Sequence, residues 1–164
     1  LDFVESHIRK AYKPLISRAK KTFTTTIVGL ENADDFSVYK DLHQHVSGRI
    51  TRAEATWNAQ LELIKKGHGF CVLIRDGDVV VGAAYFSMSV DEVAYFSGAY
   101  KKEFSDKPLG HLALYTAIEY AISQKIKWFR IGLLRQNSAQ KLSDIDFFKN
   151  GFASHIILEN QTSI

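Results

Sequence analysis

Cysteine is almost absent from this sequence, and that absence limits what can hold the chain together. Cys71 is the only cysteine among 164 residues, which excludes an intramolecular disulfide and a cysteine cluster for zinc. It lies inside the apolar run Phe70–Ile74, so we expect it in the core. A lone core thiol favours a reducing compartment, and the sequence therefore predicts a cytoplasmic protein.

Long hydrophobic runs and linker-like segments are also missing. The uncharged run Val79–Val90 has 12 residues and contains Gly82 and Ser87, whereas a membrane-spanning helix needs about 20 apolar residues. The only prolines are Pro14 and Pro108, and no stretch has the composition of a linker. We therefore expect no membrane segment and no divided core.

Neither sign of charge dominates. The chain has 21 Lys+Arg against 18 Asp+Glu, a net charge of +3, which is too small to require a nucleic-acid partner. With 46% hydrophobic and 24% charged residues, the composition is typical of a globular protein. The sequence contains no Walker loop, no Rossmann glycine pattern and no Ser-His-Asp order. It therefore gives no support for a nucleotidase, a dehydrogenase or a hydrolase.

Apolar periodicity predicts alternating helices and strands. Residues 1–21 are predicted to form a basic helix or connecting arm, bent near Pro14, ahead of one domain at 22–164. The elements predicted within the domain are a strand at 22–30, helices at 32–46 and from 51, strands at 70–75, 79–88 and 93–100, a helix at 109–124, a strand at 128–134, a helix at 139–150 and a strand at 151–158. The fold class is α/β (α+β), with a mixed sheet.

Two local patterns refine this prediction. Asn32 stands where it can cap the first helix of the domain, and Thr51 with Glu54 matches a capping box. The strands between residues 70 and 100 should form an antiparallel meander. The strand at 128–134 should run parallel beside 93–100, because a helix crosses between them.

Residues near the end of the chain, together with the order of elements, resemble those of a known family. Asn137 and Ala139 follow the fifth predicted strand, and the next helix ends at Gly151-Phe152. With the order of elements, these residues resemble the GNAT acyltransferase superfamily over nearly the whole chain after residue 21. A further set is similar to the FemAB-like branch of that superfamily: Val80-Val81-Gly82, Tyr95, Tyr100, the helix from Pro108, and Phe148-Lys149.

The resemblance implies an N-acyltransferase. FemAB-like proteins attach amino acids or other acyl groups to amines, often in building the cell envelope, which implies acyl coenzyme A or aminoacyl-tRNA as donor and a small-molecule amine as acceptor. Their frequent pairing of two such domains implies a second domain or a homodimer. The usual coenzyme A loop is replaced by residues 101–110, and the late-helix tyrosine used as general acid falls at Phe147.

The start of the helix at 109–124 is the predicted donor site. Unpaired N–H groups and the positive end of the helix dipole favour an anion there. Lys107 and His111 add charge, and Gly110 leaves room for a phosphate. The alternative is a solvated turn before an ordinary helix.

The strand before that helix supplies further candidates. Ser97 and Gly98 permit a bulge where a donor approaches free backbone groups. Alternatively, Gly98 relieves packing against an aromatic ring. Tyr95 is a candidate proton donor and Tyr100 a candidate substrate contact, and for both the alternative is a packing residue with a satisfied hydroxyl, the more frequent role of a buried tyrosine.

A polar cluster between the first two helices of the domain is the predicted acceptor site. His43, Arg49 and Arg52 suit a carboxylate or phosphate on the acceptor, and we expect both arginines to face a cleft shared with Tyr95. A solvent-facing helix end is the alternative. A metal site is disfavoured, because His43 and His45 would point to different faces of a helix.

The general base is the least determined part of the predicted site. Glu103 and His111 are candidates, and neither belongs to a motif. Two hypotheses remain open at this point: a catalytic acyltransferase, or a non-catalytic domain of the same fold that binds a ligand or a neighbouring domain.

Overall fold

One mixed sheet of five strands, covered by helices on both faces, is the centre of the molecule. A computed structural model describes residues 6–133 and 144–157. Its α-helices are α1 (Tyr12–Thr22), α2 (Phe36–Ser47), α3 (Glu54–Lys65), α4 (Leu109–Ser123) and α5 (Asp144–Asn150). Its strands are β1 (Thr24–Val28), β2 (Gly69–Asp76), β3 (Val79–Met88), β4 (Glu92–Tyr100) and β5 (Trp128–Arg130). Short 3₁₀ helices lie at Leu30–Asp35 and Lys102–Phe104.

The sheet follows the chain order β1-β2-β3-β4-β5. β1 to β4 pair antiparallel, and β5 pairs parallel with β4. Helix α4 connects β4 to β5, and such a crossover is what parallel pairing requires. The predicted meander and the predicted parallel pair are both confirmed.

Alternating side chains of β2 divide the core into two layers. Phe70, Val72 and Ile74 belong to the cluster beneath α1 and α4, while Cys71 and Leu73 belong to the cluster beneath α2 and α3. All five side chains are fully buried. A strand covered on both faces is apolar throughout, which explains the run that placed Cys71 in the core.

Helix α1 begins at Tyr12, and residues 8–11 separate it from the helical residues Ser6 and His7, so the predicted bend is a break that lies a few residues before Pro14. Pro14 lies in the first turn, where its missing N–H leaves no helical bond unmade. Ile16 and Ala19 of this helix are buried in the same cluster as α4. The division of the chain after residue 21 stays a prediction.

Both predicted caps are wrong. Ala53 is the N-cap of α3 and no side chain caps that end, since Thr51 precedes the helix by too many residues and its hydroxyl contacts His43 instead. Asn32 lies within the first 3₁₀ helix. Its side chain accepts a bond from the Gly29 N–H and donates one to the Ile27 carbonyl.

The last part of the sheet is shorter than predicted. β5 ends at Arg130, and Trp128 is 56% exposed rather than buried, because β5 is the outermost strand of the described sheet. Residues 151–157 form no strand. Gly151 accepts a bond from the Arg9 N–H, and Phe152 packs into the core beneath α1. Asn137 and Ala139 lie outside the described residues.

Candidate active site

A gap between β4 and β5 is the structural feature around which the predicted residues gather. β5 pairs with β4 only from Glu92 to Ala94, although β4 continues to Tyr100. The register with β3 shifts so that Phe96 is an extra residue in β4. A bulge of this kind bends its strand, and here it lies just beyond the last residue that pairs with β5.

Backbone groups of β4 point into this gap. The Lys101 N–H donates to the Val81 carbonyl across the β3 edge at 2.9 Å. Because edges alternate along a strand, the peptide groups of Gly98 and Tyr100 face the opposite edge. Among the described residues no strand pairs with that part of β4, so these groups are available to a ligand.

Tyr100 crosses two glycines on the face of the sheet that α4 covers. A Cβ on Gly82 would come within 2.8 Å of the Tyr100 ring, and one on Gly98 within 2.7 Å of the Tyr100 Oη and 2.8 Å of the Tyr95 Oη. Gly98 therefore does relieve packing against aromatic rings. The same arrangement places both phenol hydroxyls directly over the unpaired segment of β4.

Both hydroxyls are held in the protonated form. Burial raises the pKa of Tyr95, and a hydrogen bond from Tyr100 partly offsets that rise. Burial raises the pKa of Tyr100 well above its ordinary value, and the neighbouring Tyr95 adds to the effect. At neutral pH the pair can donate protons or hydrogen bonds, and it cannot serve as a base.

The N-terminus of α4 borders the same gap. Pro108 occupies the N-cap and no described side chain caps the helix, so N–H groups of its first turn remain free. A Cβ on Gly110 would lie 3.8 Å from the Tyr100 Oη, which places the helix end beside the phenol pair. Lys107 is exposed, and its Nζ lies 2.8 Å from the Asp106 carboxylate.

His111 points away from these groups into an aromatic cluster. Its ring lies 4.4 Å from the ring centre of Tyr12, 4.8 Å from that of Phe148 and 6.0 Å from that of Phe152. Burial among these rings lowers the pKa of His111 to about 4. The imidazole is therefore neutral at pH 7 and adds no positive charge to the helix end.

The acceptor candidates lie on the other face of the sheet. The Arg52 guanidinium is 4.9 Å from the Trp57 ring and 5.9 Å from the Phe96 ring, and Arg49 is exposed. Tyr95 packs with the cluster beneath α4 instead. The extra residue Phe96 turns Tyr95 to the face of Tyr100, so the expectation of a cleft shared with Tyr95 is wrong for Arg52, and for Arg49 it stays a prediction.

His43 holds Arg52 in place. Arg52 Nη1 lies 2.9 Å from His43 Nε2, and Thr51 Oγ1 lies 3.2 Å from His43 Nδ1. Since a guanidinium only donates, Nε2 accepts and the proton resides on Nδ1. Burial, and then the charge of Arg52, lower the pKa of His43. The described residues offer Arg52 no carboxylate partner.

Ser97 is already engaged on this second face. Its hydroxyl lies 2.6 Å from the hydroxyl of fully buried Tyr39. Burial raises the pKa of Tyr39 to about 12, with the Ser97 bond opposing that rise. Ser97 therefore anchors the bulge to α2, and its hydroxyl does not face the gap beside Gly98.

Glu103 lines a separate cavity of about 180 Å³. His45 and Ser47 at the end of α2 form one side, and Lys101 and Lys102 form the other. The structure therefore places the two base candidates, Glu103 and His111, in different surroundings. Within the described residues no group of three His, Cys, Asp or Glu side chains could hold a metal ion.

Sequence reasoning missed several residues that shape this region. Tyr39, Trp57 and Phe96 belong to no motif that the sequence reveals, and Tyr39 and Phe96 acquire their contacts with Ser97 and Arg52 only in the folded chain. Gly82 could have been recognised from the sequence, because it lies directly opposite Tyr100 on the neighbouring strand. A glycine opposite a large ring on paired strands often marks close packing.

Comparison with known proteins identifies the family. The family model described as "Acetyltransferase (GNAT) domain" matches residues 6–141. The chain belongs to this family. The membership supports N-acyltransferase activity for this GNAT domain, and the fold agrees with it. No curated protein sequence matches the chain significantly, and no helix of the described residues is long and apolar enough to cross a membrane.

Solved structures show the same fold at low identity. An aminoglycoside acetyltransferase from an uncultured soil metagenomic sample, in complex with trehalose, aligns with a TM-score of 0.63 and 7% identity over 88% of this chain and 97% of that one. AAC(6')-Iy, in complex with a bisubstrate analogue containing coenzyme A, aligns with a TM-score of 0.61 and 11% identity over 86% of this chain and 99% of that one. FemX aligns with a TM-score of 0.69 and 12% identity over 92% of this chain and 55% of the FemX chain.

Proposed function

We propose that this GNAT domain transfers an acyl group from a thioester donor to an amine, with the donor in the gap between β4 and β5. The observation that carries the proposal is the unpaired edge of β4 beyond Ala94, bordered by the uncapped N-terminus of α4. An edge strand offers hydrogen bonds along an extended ligand, and a helix N-terminus offers them to a phosphate.

Acyl coenzyme A is the proposed donor. Its pyrophosphate would bind the free N–H groups at Gly110 and His111, with Lys107 as a flanking charge. The AAC(6')-Iy complex contains a coenzyme A derivative, which supports the same donor class here. Aminoacyl-tRNA is the donor that the FemAB-like resemblance favours, together with a role in the cell envelope, and its phosphates would use the same groups.

The phenol pair is the proposed proton donor. A neutral amine attacks the thioester carbonyl, negative charge develops on the carbonyl oxygen, and the carbon–sulfur bond then breaks to release a thiolate. Backbone N–H groups at Gly98 and Tyr100 stabilise the oxyanion. Tyr95 or Tyr100 donates the proton that the departing thiolate takes, since both phenols are protonated.

Glu103 is the proposed acceptor of the proton that the amine loses. It lines an open cavity on the face of α2, which is also the face of Arg52. His111 is less suited, because its ring is enclosed by the rings of Tyr12, Phe148 and Phe152 and points away from the phenol pair.

Arg52 is the proposed recognition group for the acceptor, with Arg49 and His43 beside it. A guanidinium fixed over two rings and bonded to a neutral imidazole retains its charge. It therefore suits an amine that also carries a carboxylate or phosphate.

The test is an assay of thiol release from acetyl coenzyme A in the presence of amines. Amino acids, amino sugar phosphates and aminoglycosides represent acceptors that carry a carboxylate, a phosphate and only cationic groups. We expect amine-dependent release that falls about 10²-fold in Tyr95→Phe/Tyr100→Phe and is unchanged in Tyr120→Phe, a half-buried phenol at the far end of α4. If the parent binds acetyl coenzyme A and no amine accelerates thiol release, the non-catalytic hypothesis replaces this one.

FemX aligns over only 55% of its length. That ratio supports the further proposal that the domain works beside a second domain or a second copy.

A further inference from the structure

A second concave site lies between α1 and α4. It has a volume of about 370 Å³, which falls near the lower end of the range of about 300–1,000 Å³ found for small-molecule sites. Ile8, Ile16 and Tyr115 form its apolar floor. These residues belong to the cluster on the α1 face of the sheet, and none of the residues assigned to acyl transfer lines this groove.

The rim of this groove is basic. Lys13, Lys20 and Lys21 line it together with Ser17, and the sequence of α1 contains no acidic residue. Lys20 is neutralised, since its Nζ lies 2.8 and 2.9 Å from the two carboxylate oxygens of Glu119. It also lies 4.3 Å from the centre of the Tyr115 ring.

The other two lysines of the rim, Lys13 and Lys21, are available to an anion. In the part of the chain that the structure describes, neither Lys13 nor Lys21 has a carboxylate partner. Both are exposed, and long lysine side chains can reach over an apolar surface while the ammonium stays in water. An anionic group at the rim would therefore meet two unpaired cations.

The depth of the floor decides what kind of ligand fits. Ile8, Ile16 and Tyr115 are only 3%, 4% and 8% exposed, so a flat bilayer surface cannot reach them. A volume of about 370 Å³ has room for a single flexible chain, which would contact the small exposed part of this floor and the aliphatic stems of the rim lysines. We propose that the groove binds an anionic amphiphile, a carboxylate- or phosphate-bearing molecule with one medium-length alkyl chain. The chain lies on the isoleucines and Tyr115, and the anionic group lies at Lys13 and Lys21.

Calorimetric titration of the parent with decanoate tests the proposal, with decyl phosphate, decylammonium and decanol as comparison ligands. We expect saturable binding of one decanoate or decyl phosphate, and weaker binding of the cationic and neutral ligands. Lys13→Gln/Lys21→Gln should lower the affinity about three- to tenfold, because exposed charge pairs contribute modestly. Ser17→Trp should lower it further by filling the groove.

The matched control is Lys10→Gln/Arg18→Gln, which removes two exposed charges near the groove from residues that do not line it. Its affinity for decanoate should equal that of the parent. The proposal is overturned if decanoate does not bind, if decylammonium binds equally well, or if the control loses as much affinity as the groove variant. Binding to anionic vesicles or acidic peptides without binding to decanoate overturns it in favour of those partners.

Discussion

Tyr100 owes its position to the absence of two side chains. Its ring passes over Gly82 and Gly98, and a Cβ at either position would lie under 3 Å from it. Contacts that short force neighbouring groups to move. The two glycines therefore determine where the phenol hydroxyls stand above the unpaired edge of β4.

Gly98→Ala should lower the free energy of unfolding by about 1–3 kcal/mol, because the added methyl group meets both phenols. Urea denaturation measures the effect. Gly29→Ala is the matched control, since its Cβ would meet only the Tyr120 Oη at 3.8 Å and its backbone is extended. The control should be unchanged or slightly more stable. Equal destabilisation of the two variants would count against this packing.

His111 makes the stability of the fold depend on pH. Its pKa is lowered to about 4 in the folded chain, while an unfolded histidine titrates near 6.5. Below about pH 6.5 the unfolded state binds a proton that the folded state does not. Stability should therefore fall as the pH falls from about 6.5 to 4, by about 1–2 kcal/mol after allowing for the exposed part of the ring.

The matching experiment compares His111→Phe with the parent by urea denaturation at several pH values. Phenylalanine keeps the ring contacts with Tyr12 and Phe148 and removes the titrating group. The variant should lose that part of the pH dependence, whereas His45→Gln, at an exposed position, should keep it. A His111→Phe profile that parallels the parent would contradict the assignment.

At the scale of elements, the bulge in β4 is fixed by helix α2. The hydrogen bond between Tyr39 and Ser97 joins the first turn of the helix to the residue after Phe96. Arg52 adds a second contact by lying over Phe96. The separation of β4 from β5 therefore depends on side chains that belong to the opposite face of the sheet.

A double-mutant cycle on Tyr39→Phe and Ser97→Ala measures this connection. We expect a coupling energy of about 0.5–1.5 kcal/mol in the free energy of unfolding, the usual range for one intramolecular hydrogen bond. If the effects of the two substitutions on the free energy of unfolding simply add, the bond does not stabilise the bulge.

The elements differ in how well the sequence determined them. Helix α4 was predicted within one residue at its end, because a helix apolar on all sides must be buried. The meander followed from the short turn between β2 and β3. β5 was predicted too long, since an apolar run does not reveal whether a further strand covers it. The caps at Asn32 and Thr51 failed because other contacts engaged those side chains.

The candidate site was predictable only in part. The uncapped start of α4 and the glycine at position 98 could be recognised from local sequence. The division of Tyr95 and Arg52 between opposite faces could not, because it depends on one extra residue in β4. The surroundings of His111 were also hidden, since Tyr12 and Phe152 come from distant parts of the chain.

For the molecule as a whole, the two faces of the sheet have different proposed tasks. The gap beside α4 is the proposed donor site, and the face of α2 and α3 is the proposed acceptor site. Helix α1 closes the core on the donor side and carries the basic groove. Loss of decanoate binding in the groove variant would leave acyl transfer unaffected, so the two proposals can fail separately.

The central claim is that a phosphate-bearing acyl donor binds in the gap at the start of α4. Calorimetric titration with acetyl coenzyme A, repeated with aminoacyl-tRNA, tests it most directly. Gly110→Val should bind at least tenfold more weakly, because its side chain obstructs the helix end beside Tyr100. Lys107→Ala should bind more weakly at low salt only, and Asp106→Asn should bind more tightly, because it frees Lys107.

Lys66→Ala, an exposed lysine at the end of α3, is the control for a change of charge, and circular dichroism verifies that each variant is folded. The account predicts tight binding by the parent and by Lys66→Ala, and weak binding by Gly110→Val. It is contradicted if the parent binds neither donor, or if folded Gly110→Val binds as tightly as the parent.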